Sequence, residues 1–205
     1  MPDTTLPLDE VHRITLRAVE RYAANIEEEE VGVGIQMDDV TLLHTLAPGK
    51  KLLDLGCGSG RYAPLLGELD YTGVDYSTAM VEQARRLRPG FDFNVMSFHE
   101  LHFDDDTFDC IWACHVFGFE PKVYLPRALA ELRRVLKPGG IVVIVLPNRD
   151  ESYEHLSEDV PGLGTFWFTS WYIDEFYGAL EKAEFAVIEA GARNHCGTMT
   201  FVVTK

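Results

Sequence analysis

The segment LDLGCGSG, residues 53–60, constrains the fold more than any other part of the chain. Its leucines form the apolar run that is typical of a strand buried inside a parallel sheet. Its glycines let the backbone bend tightly and leave bare main chain against a ligand. These glycines are Gly56, Gly58 and Gly60. The pattern therefore predicts a strand that runs directly into a ligand-binding turn.

A second apolar segment, YTGVD at residues 71–75, ends in a carboxylate. Asp75 lies 19 positions after Gly56, close to the offset at which an acidic side chain binds ribose hydroxyls in open α/β sheets. Alone, Asp75 could equally be the N-cap of a helix that starts near Ser77. A glycine-rich turn and an acidic strand end at this offset together indicate a nucleoside site.

The turn has the pattern G-x-G-x-G, and Arg61 stands where a dinucleotide fingerprint has its third glycine. The match to a nicotinamide-binding site is therefore poor. LDLGCGSG followed by GVDYS instead resembles the first two motifs of the class I S-adenosylmethionine-dependent methyltransferases. Within that class the chain resembles the enzymes that act on small molecules, the group of methyltransferase type 11 and the ubiquinone-biosynthesis enzymes. The resemblance continues through residues 99–117 and 132–148, and it is loose before residue 50.

This resemblance implies S-adenosylmethionine as cofactor, S-adenosylhomocysteine as product, and no metal. Asp54 and the glycine turn would hold the methionine moiety, although a buried Asp54 could also cap the amides of the turn. Asp75 would accept the ribose hydroxyls, Tyr76 would lie against adenine, and Tyr22 would close over the cofactor. The predicted cofactor-binding residues are Tyr22, Asp54, Gly56, Cys57, Gly58, Gly60, Asp75, Tyr76, Ser97, Phe98 and Cys114.

The sequence departs from the family after the third predicted strand. The family usually has an acidic residue there that binds the adenine amino group, and the matching stretch MSFHELHF has Ser97 at that position. A serine hydroxyl accepts a hydrogen bond less strongly than a carboxylate. The adenine contact is therefore expected to weaken or to move to the backbone amide of Phe98.

His115 is the first candidate for a general base, because it titrates near neutrality and follows the carboxyl end of the fourth predicted strand. A purely structural histidine is an equally good interpretation, since positioning alone can accelerate methyl transfer. The tetrapeptide at 114–117 is CHVF, which differs from the Asn- or Asp-Pro-Pro-aromatic motif of enzymes that methylate adenine or amide nitrogens.

The stretch at residues 148–171 is long and rich in aromatic side chains, as expected of a lid over an apolar or cationic acceptor. Tyr153, Phe166 and Trp167 are its predicted substrate contacts. Trp167 and Phe166 precede a predicted helix cap at Thr169 or Ser170, which leaves them free to face a cavity.

Strands alternate with helices from residue 50 onward, which predicts an α/β fold with a doubly wound, mostly parallel, seven-stranded sheet. A short turn with Asn194 and Gly197 joins the last two strands, so one strand near the edge should be antiparallel. Strands are predicted at 51–55, 71–75, 92–96, 108–114, 141–147, 186–192 and 198–204. Helices are predicted at 8–26, 38–46, 60–67, 77–88, 123–136 and 170–183.

The chain has 205 residues, enough for one substantial core, and we interpret 1–205 as a single domain. Within it we expect a helical flank (1–49), a cofactor-binding half (50–148) and a substrate-binding end (149–205). The formal charge of −15 argues against a nucleic acid substrate. An apolar run that could span a membrane or export the chain is missing from the sequence, which predicts a cytoplasmic protein. The four cysteines form no C-x-x-C pair and indicate neither zinc nor disulfides.

Three functions follow from these observations. The first is a methyltransferase that acts on an oxygen, nitrogen or carbon of a small molecule. The second is a module that binds the cofactor without turnover, because most of the motifs describe cofactor binding. The third is a nucleotide-dependent oxidoreductase, which the broken fingerprint at Arg61 disfavours.

Overall fold

A computed structural model describes residues 6–24, 36–149, 151–157, 160–161, 164–193 and 197–205. Three features of the sequence interpretation lie outside these residues. They are the predicted helix end at Ile26, Asn194 in the last turn, and Cys196, one of the four cysteines.

Helices and strands alternate along most of the chain, as the sequence predicts. The helices are α1 (Leu8–Ala24), α2 (Met37–Leu46), α3 (Ala63–Leu66), α4 (Thr78–Leu87), α5 (Leu125–Val135) and α6 (Ile173–Lys182). The strands are β1 (Lys51–Leu55), β2 (Asp70–Asp75), β3 (Asp92–Val95), β4 (Phe108–Cys114), β5 (Leu136–Pro147), β6 (Tyr153–Leu156), β7 (Trp167–Ser170), β8 (Ala186–Arg193) and β9 (Thr198–Thr204). None of the helices in the described part of the chain is both long and apolar enough to cross a membrane.

Seven strands form one sheet in the order β3-β2-β1-β4-β5-β9-β8. The first five pair in parallel, and β9 runs antiparallel to both β5 and β8. This confirms the predicted fold class with its single reversed strand near the edge. The chain winds outward from β1 to β3 and then returns to β4, so the strand order reverses between β1 and β4. In open α/β sheets, ligands bind at the carboxyl ends of the strands at this point.

Helices cover both faces of the sheet, which explains the uninterrupted apolar run in β5. Val142 and Ile144 pack on one face with residues of α5 and α6, whereas Val143 and Val145 pack on the other with residues of α2, α3 and α4. Because side chains alternate along a strand, only a sheet buried on both faces needs apolar residues at every position.

Helix α1 packs beside α4 at the carboxyl edge of the sheet. Ala23 of α1 joins Met80 and Leu87 of α4 in a small buried cluster. This contact places the polar side chains of α1, including His12, above the end of β2, where His12 stacks on Tyr76.

The segment between β5 and α6 differs from the predicted loop. It contains an antiparallel pair of strands, β6 and β7, with Tyr153 opposite Ser170 and Leu156 opposite Trp167. Helix α6 begins at Ile173 after Tyr172, so the predicted cap at Thr169 or Ser170 is wrong, because both residues lie in β7.

Candidate active site

The turn after β1 needs glycine for two different reasons. Gly56 and Gly58 have φ angles of 66° and 53°, in the left-handed region that L side chains rarely adopt. A Cβ on Gly56 would also lie 2.7 Å from Cγ2 of Val116, whereas a Cβ on Gly58 would meet nothing within 4 Å. The turn is therefore packed tightly against the end of β4 at Gly56 and open at Gly58.

Asp75, at the end of β2, is fixed by two backbone amides. Its Oδ2 accepts a hydrogen bond from the amide of Gly58 at 3.0 Å, and its Oδ1 accepts one from the amide of Ser77 at 2.9 Å. The side chain is 9% exposed, and burial raises its pKa to about 6. Since each carboxylate oxygen has two lone pairs, both oxygens can still accept from a further donor.

Asp54 lies deeper, with only 2% of its surface exposed. Its Oδ2 accepts a hydrogen bond from the hydroxyl of Tyr71 at 2.6 Å. Burial raises the pKa of Asp54 to about 7, and the nearby charge of Asp75 adds to this effect. Asp54 therefore titrates close to neutral pH in the folded protein.

Titration of Asp54 should make the stability of the protein depend on pH. Its pKa is about 7 in the folded chain and near 3.8 when exposed, so the folded protein binds this proton more tightly. The stabilisation is complete below about pH 4 and is lost as the pH rises to about 7. Replacing Asp54 by Asn removes this effect. Between pH 4.5 and 7.5 we expect the free energy of urea-induced unfolding to fall by roughly 3 kcal/mol more in the wild type than in Asp54→Asn.

The matched control is Asp70→Asn, because Asp70 is exposed at the opposite end of β2. Its unfolding should follow the pH profile of the wild type. Parallel profiles for the wild type and Asp54→Asn would contradict the assignment of this titration to Asp54.

Two adjoining cavities open at the carboxyl ends of β1, β2 and β4. The cavity beside Asp54, of about 220 Å³, we call the glycine-turn cavity. The cavity beside Asp75, of about 210 Å³, we call the Asp75 cavity. Both are lined by Tyr22, Gly56, Gly58, Met80 and His115. Asp54, Cys57, Ser59, Arg61, Tyr62 and Cys114 complete the first, and His12, Val19, Asp75, Tyr76, Phe98, Val116, Phe119 and Glu120 complete the second.

His115 stands where the two cavities meet. Its φ angle of 58° is unusual for a residue other than glycine, and its backbone amide donates to the carbonyl of Val145 at 2.8 Å. Its Nε2 lies 3.5 Å from Nε2 of Gln36, and its buried Nδ1 has no hydrogen-bond partner among the described residues. Burial and then the charge of Arg61 lower the pKa of His115, so the imidazole is neutral at pH 7 and able to take up a proton.

The sequence interpretation missed a polar cluster at the far wall of the Asp75 cavity. His99 Nε2 lies 2.5 Å from Glu120 Oε2, and both side chains are buried. His12 Nε2 lies 3.9 Å from the same oxygen, and the His12 ring stacks on Tyr76 with 5.1 Å between centroids. The three residues present ligand atoms of the types that metals bind. The short contact between His99 and Glu120 is nevertheless that of a charge-assisted hydrogen bond.

Of the remaining predicted cofactor residues, some line a cavity and others stabilise the glycine turn or lie away from both cavities. Cys57 and Cys114 line the glycine-turn cavity, and Cys114 Sγ donates to the Tyr62 hydroxyl oxygen at 3.3 Å. Gly60 supports the turn, since its φ is 75° and a Cβ there would lie 2.8 Å from the Phe93 ring. Ser97 lies outside the lining of both cavities, and its hydroxyl oxygen accepts a hydrogen bond from the amide of His99 at 3.2 Å.

The predicted substrate residues lie around β6 and β7. Phe166 packs near Phe119 of the Asp75 cavity, with 6.0 Å between ring centroids. Trp167 is only 7% exposed, and its Nε1 donates to Thr169 Oγ1 at 3.1 Å, so its indole is held by packing and a hydrogen bond, and its role as a substrate contact stays a prediction. Tyr153 stacks on Phe168 at 5.9 Å, and neither Tyr153 nor Trp167 lines the two cavities.

A larger cavity, of about 670 Å³, lies in the groove between α5 and α6. Its lining includes Leu129, Arg133, Trp171 and Ala179, and contains neither the glycine turn nor Asp75. The groups suited to a nucleoside therefore converge at the two smaller cavities.

Residues 53–144 match the family described as methyltransferase domain. This range begins at β1 and ends within β5, so it contains the glycine turn, Asp75 and His115.

Curated proteins with similar sequences include methyltransferases that act on different substrates. A phosphatidylethanolamine N-methyltransferase from Cereibacter sphaeroides is 35% identical over 112 residues, which cover 51% of this chain and 54% of that protein. A 2-methyl-6-phytyl-1,4-hydroquinone methyltransferase from Synechocystis is 37% identical over 110 residues, 50% of this chain and 33% of that protein. The matches thus span about half or less of these relatives.

Among solved structures, a Burkholderia thailandensis 1,6-didemethyltoxoflavin-N1-methyltransferase, with 1,6-didemethyltoxoflavin and S-adenosylhomocysteine bound, has a TM-score of 0.75. The match covers 99% of this chain and 92% of that chain at 19% identity. At this level of identity the likeness concerns the fold.

Proposed function

We propose that this chain, whose residues 53–144 match the methyltransferase domain family, is a class I S-adenosylmethionine-dependent methyltransferase that transfers a methyl group to an oxygen, nitrogen or carbon of a small molecule. The observation that carries this proposal is the pairing of the glycine turn with Asp75 across β1 and β2. Acceptor identity differs widely among the relatives, so the acceptor must be argued from the site itself.

The residues of the two cavities fit S-adenosylmethionine. Asp75 has lone pairs left for the ribose hydroxyls, and the open side of Gly58 leaves space against bare backbone. Tyr76 and Phe98 offer ring surfaces for a base beside Asp75, and Asp54 offers a carboxylate for the ammonium of the methionine moiety. Among the remaining predicted residues, Tyr22 is 42% exposed on α1 and lines both cavities, where it can close over the cofactor.

When bound, S-adenosylmethionine supplies a methyl group on a positively charged sulfur. The protein must hold the acceptor atom in line with that bond, and orientation of this kind supplies much of the rate enhancement. His115, neutral at pH 7 and placed where the cavities meet, would accept a proton from an acceptor hydroxyl or amine. Val116 and Phe119 would exclude water from the same space.

Replacement of His115 by Ala tests its proposed role. We expect turnover to fall by about 100-fold or more, the usual scale for a lost general base, while S-adenosylhomocysteine affinity changes only a few-fold. The His115→Asn variant keeps a polar side chain that tolerates the positive φ and cannot take up a proton, so it should lose turnover as His115→Ala does. Unchanged turnover in His115→Ala would show that His115 is not a general base and that the enzyme acts by positioning alone.

We propose an apolar or cationic small-molecule acceptor. The support for this lies beside the space given to adenosine, where the ring of Phe119 packs near that of Phe166, because aromatic faces bind organic cations and flat apolar rings. The high negative charge of the chain disfavours nucleic acid. Phe166, next to Phe119, is the first of the predicted aromatic residues to test as an acceptor contact, and Tyr153 stays a prediction. A single domain and a cytoplasmic location also stay predictions.

Two measurements test the proposed function. Isothermal titration should detect binding of S-adenosylmethionine and S-adenosylhomocysteine, and failure of both to bind at submillimolar concentration would contradict it. Incubation with cofactor labelled in the methyl group and a panel of phenols, amines and quinols should then move the label to an acceptor. A protein that binds the cofactor and passes the label to nothing in a broad panel would support the binding-module alternative.

A further inference from the structure

Glu120 is buried at the wall of the Asp75 cavity with one oxygen unused. Its side chain is 4% exposed, and its Oε2 accepts a hydrogen bond from His99. Its Oε1 is buried and has no hydrogen-bond partner in the described part of the chain. A buried carboxylate oxygen without a donor is costly, so such an atom indicates a missing ligand.

The position of Glu120 is fixed from several sides. Thr169 Oγ1 donates to the backbone carbonyl of Glu120 at 2.5 Å. His99, the partner of the Glu120 carboxylate, is held in turn by Arg127, whose Nε donates to the backbone carbonyl of His99 at 3.1 Å. Since a carboxylate only accepts, His99 must be the donor in its contact with Oε2. The pair therefore presents Oε1 as a preorganised acceptor.

Two of the residues that line the Asp75 cavity are carboxylates, Asp75 and Glu120. Burial, and then the charges of Asp75 and Glu120, raise the pKa of Tyr76. The Tyr76 hydroxyl therefore lies in the electrostatic field of both carboxylates. An adenosine group carries two sets of hydrogen-bond donors, the ribose hydroxyls and the 6-amino group, and its ring nitrogens only accept. Two acceptor-only side chains in one cavity match these two donor sets.

Ser97 is less well placed than Glu120 for the second of these roles. Its hydroxyl oxygen already accepts a hydrogen bond from the His99 amide, and it lies outside the cavity lining. We propose, resting on the proposed function, that Glu120, positioned by His99, is the specificity residue that binds the 6-amino group of adenine. The carboxylate comes from the loop after β4 and takes over the contact that the serine at 97 leaves weak.

The proposal is tested by binding alone, without knowledge of the acceptor. The probes are S-adenosylhomocysteine and its analogue with hydrogen in place of the 6-amino group, which leaves the ring nitrogen beside it unchanged. Titration calorimetry on the full chain should show that the wild type binds the analogue about 10- to 100-fold more weakly, the range for a hydrogen bond to a charged group. In Glu120→Leu the two affinities should agree within about threefold, as the coupling between the amino group and the carboxylate is gone.

Glu100→Leu, which removes an exposed carboxylate outside the lining of the Asp75 cavity, is the matched control and should keep the full preference of the wild type. Ser97→Ala tests the rival position for the adenine contact and should also keep the preference. Glu120→Gln, which preserves shape and one acceptor, should keep only part of it, and far-ultraviolet circular dichroism should show that both Glu120 variants are folded. If Glu120→Gln and Glu120→Leu discriminate as the wild type does, or if Ser97→Ala alone loses the preference, the proposal is overturned. Stoichiometric Zn²⁺ binding that is lost in Glu120→Gln would also overturn it, by assigning Oε1 to a metal. A wild type that binds neither probe contradicts the proposed function instead.

Discussion

Asp75→Ala is expected to weaken S-adenosylhomocysteine binding by at least about 100-fold. Two ribose hydroxyls would donate to one carboxylate, and each hydrogen bond to a charged group contributes about 1.5 to 3 kcal/mol. Together they exceed about 3 kcal/mol, which corresponds to the stated loss in affinity. Isothermal titration of the full chain with S-adenosylhomocysteine measures it directly.

Asp75 also holds the amides of Gly58 and Ser77, so loss of affinity must be separated from loss of fold. Asp75→Asn retains one oxygen and the shape of the side chain, and it should bind with intermediate affinity. Asp70→Ala, at the exposed opposite end of β2, should bind as the wild type does. An affinity for Asp75→Ala within a few-fold of the wild type, in a folded protein, would place the cofactor elsewhere.

The sheet could be predicted because its strands are marked locally. In β1 and β4 the apolar run, the following turn and the strand length all agree, and both strands have the predicted bounds. The antiparallel pairing of β8 and β9 follows from a connection too short for a crossover. Asp54 and Asp75 could be singled out as candidates for the same reason, since each has a fixed position relative to a glycine turn or strand end.

Features that depend on contacts between distant segments escaped prediction. His99 and Glu120 are 21 residues apart in different loops, and only the packing of those loops brings their side chains together. The aromatic residues of β7 look like the approach to a helix, and their pairing with β6 depends on register rather than composition. The one local signal was Ser97, which stands where the family has a carboxylate that binds the adenine amino group. The missing carboxylate invites a search for another one that could make this contact.

Gly56→Ala should destabilise the protein more than Gly58→Ala does. The left-handed φ of 66° costs an L residue about 1 to 2 kcal/mol, and the new Cβ would lie 2.7 Å from Cγ2 of Val116. Valine is stiff about χ1, so either this side chain or the turn must shift, at a further cost of about 1 to 3 kcal/mol. We expect a loss of about 2 to 5 kcal/mol in the free energy of unfolding, measured by urea denaturation, and weaker S-adenosylhomocysteine binding because Gly56 lines both cavities.

Gly58→Ala separates strain from crowding, because Gly58 has a similar φ of 53° and open space where its Cβ would be. It should lose only about 1 to 2 kcal/mol, the strain alone. A second variant, Val116→Ala, removes the methyl group that the new Cβ would meet. In that background Gly56→Ala should lower the free energy of unfolding by less than it does in the wild type. Equal costs for Gly56→Ala with Val116 present and absent would show that the turn yields freely and that close packing against β4 does not fix its shape.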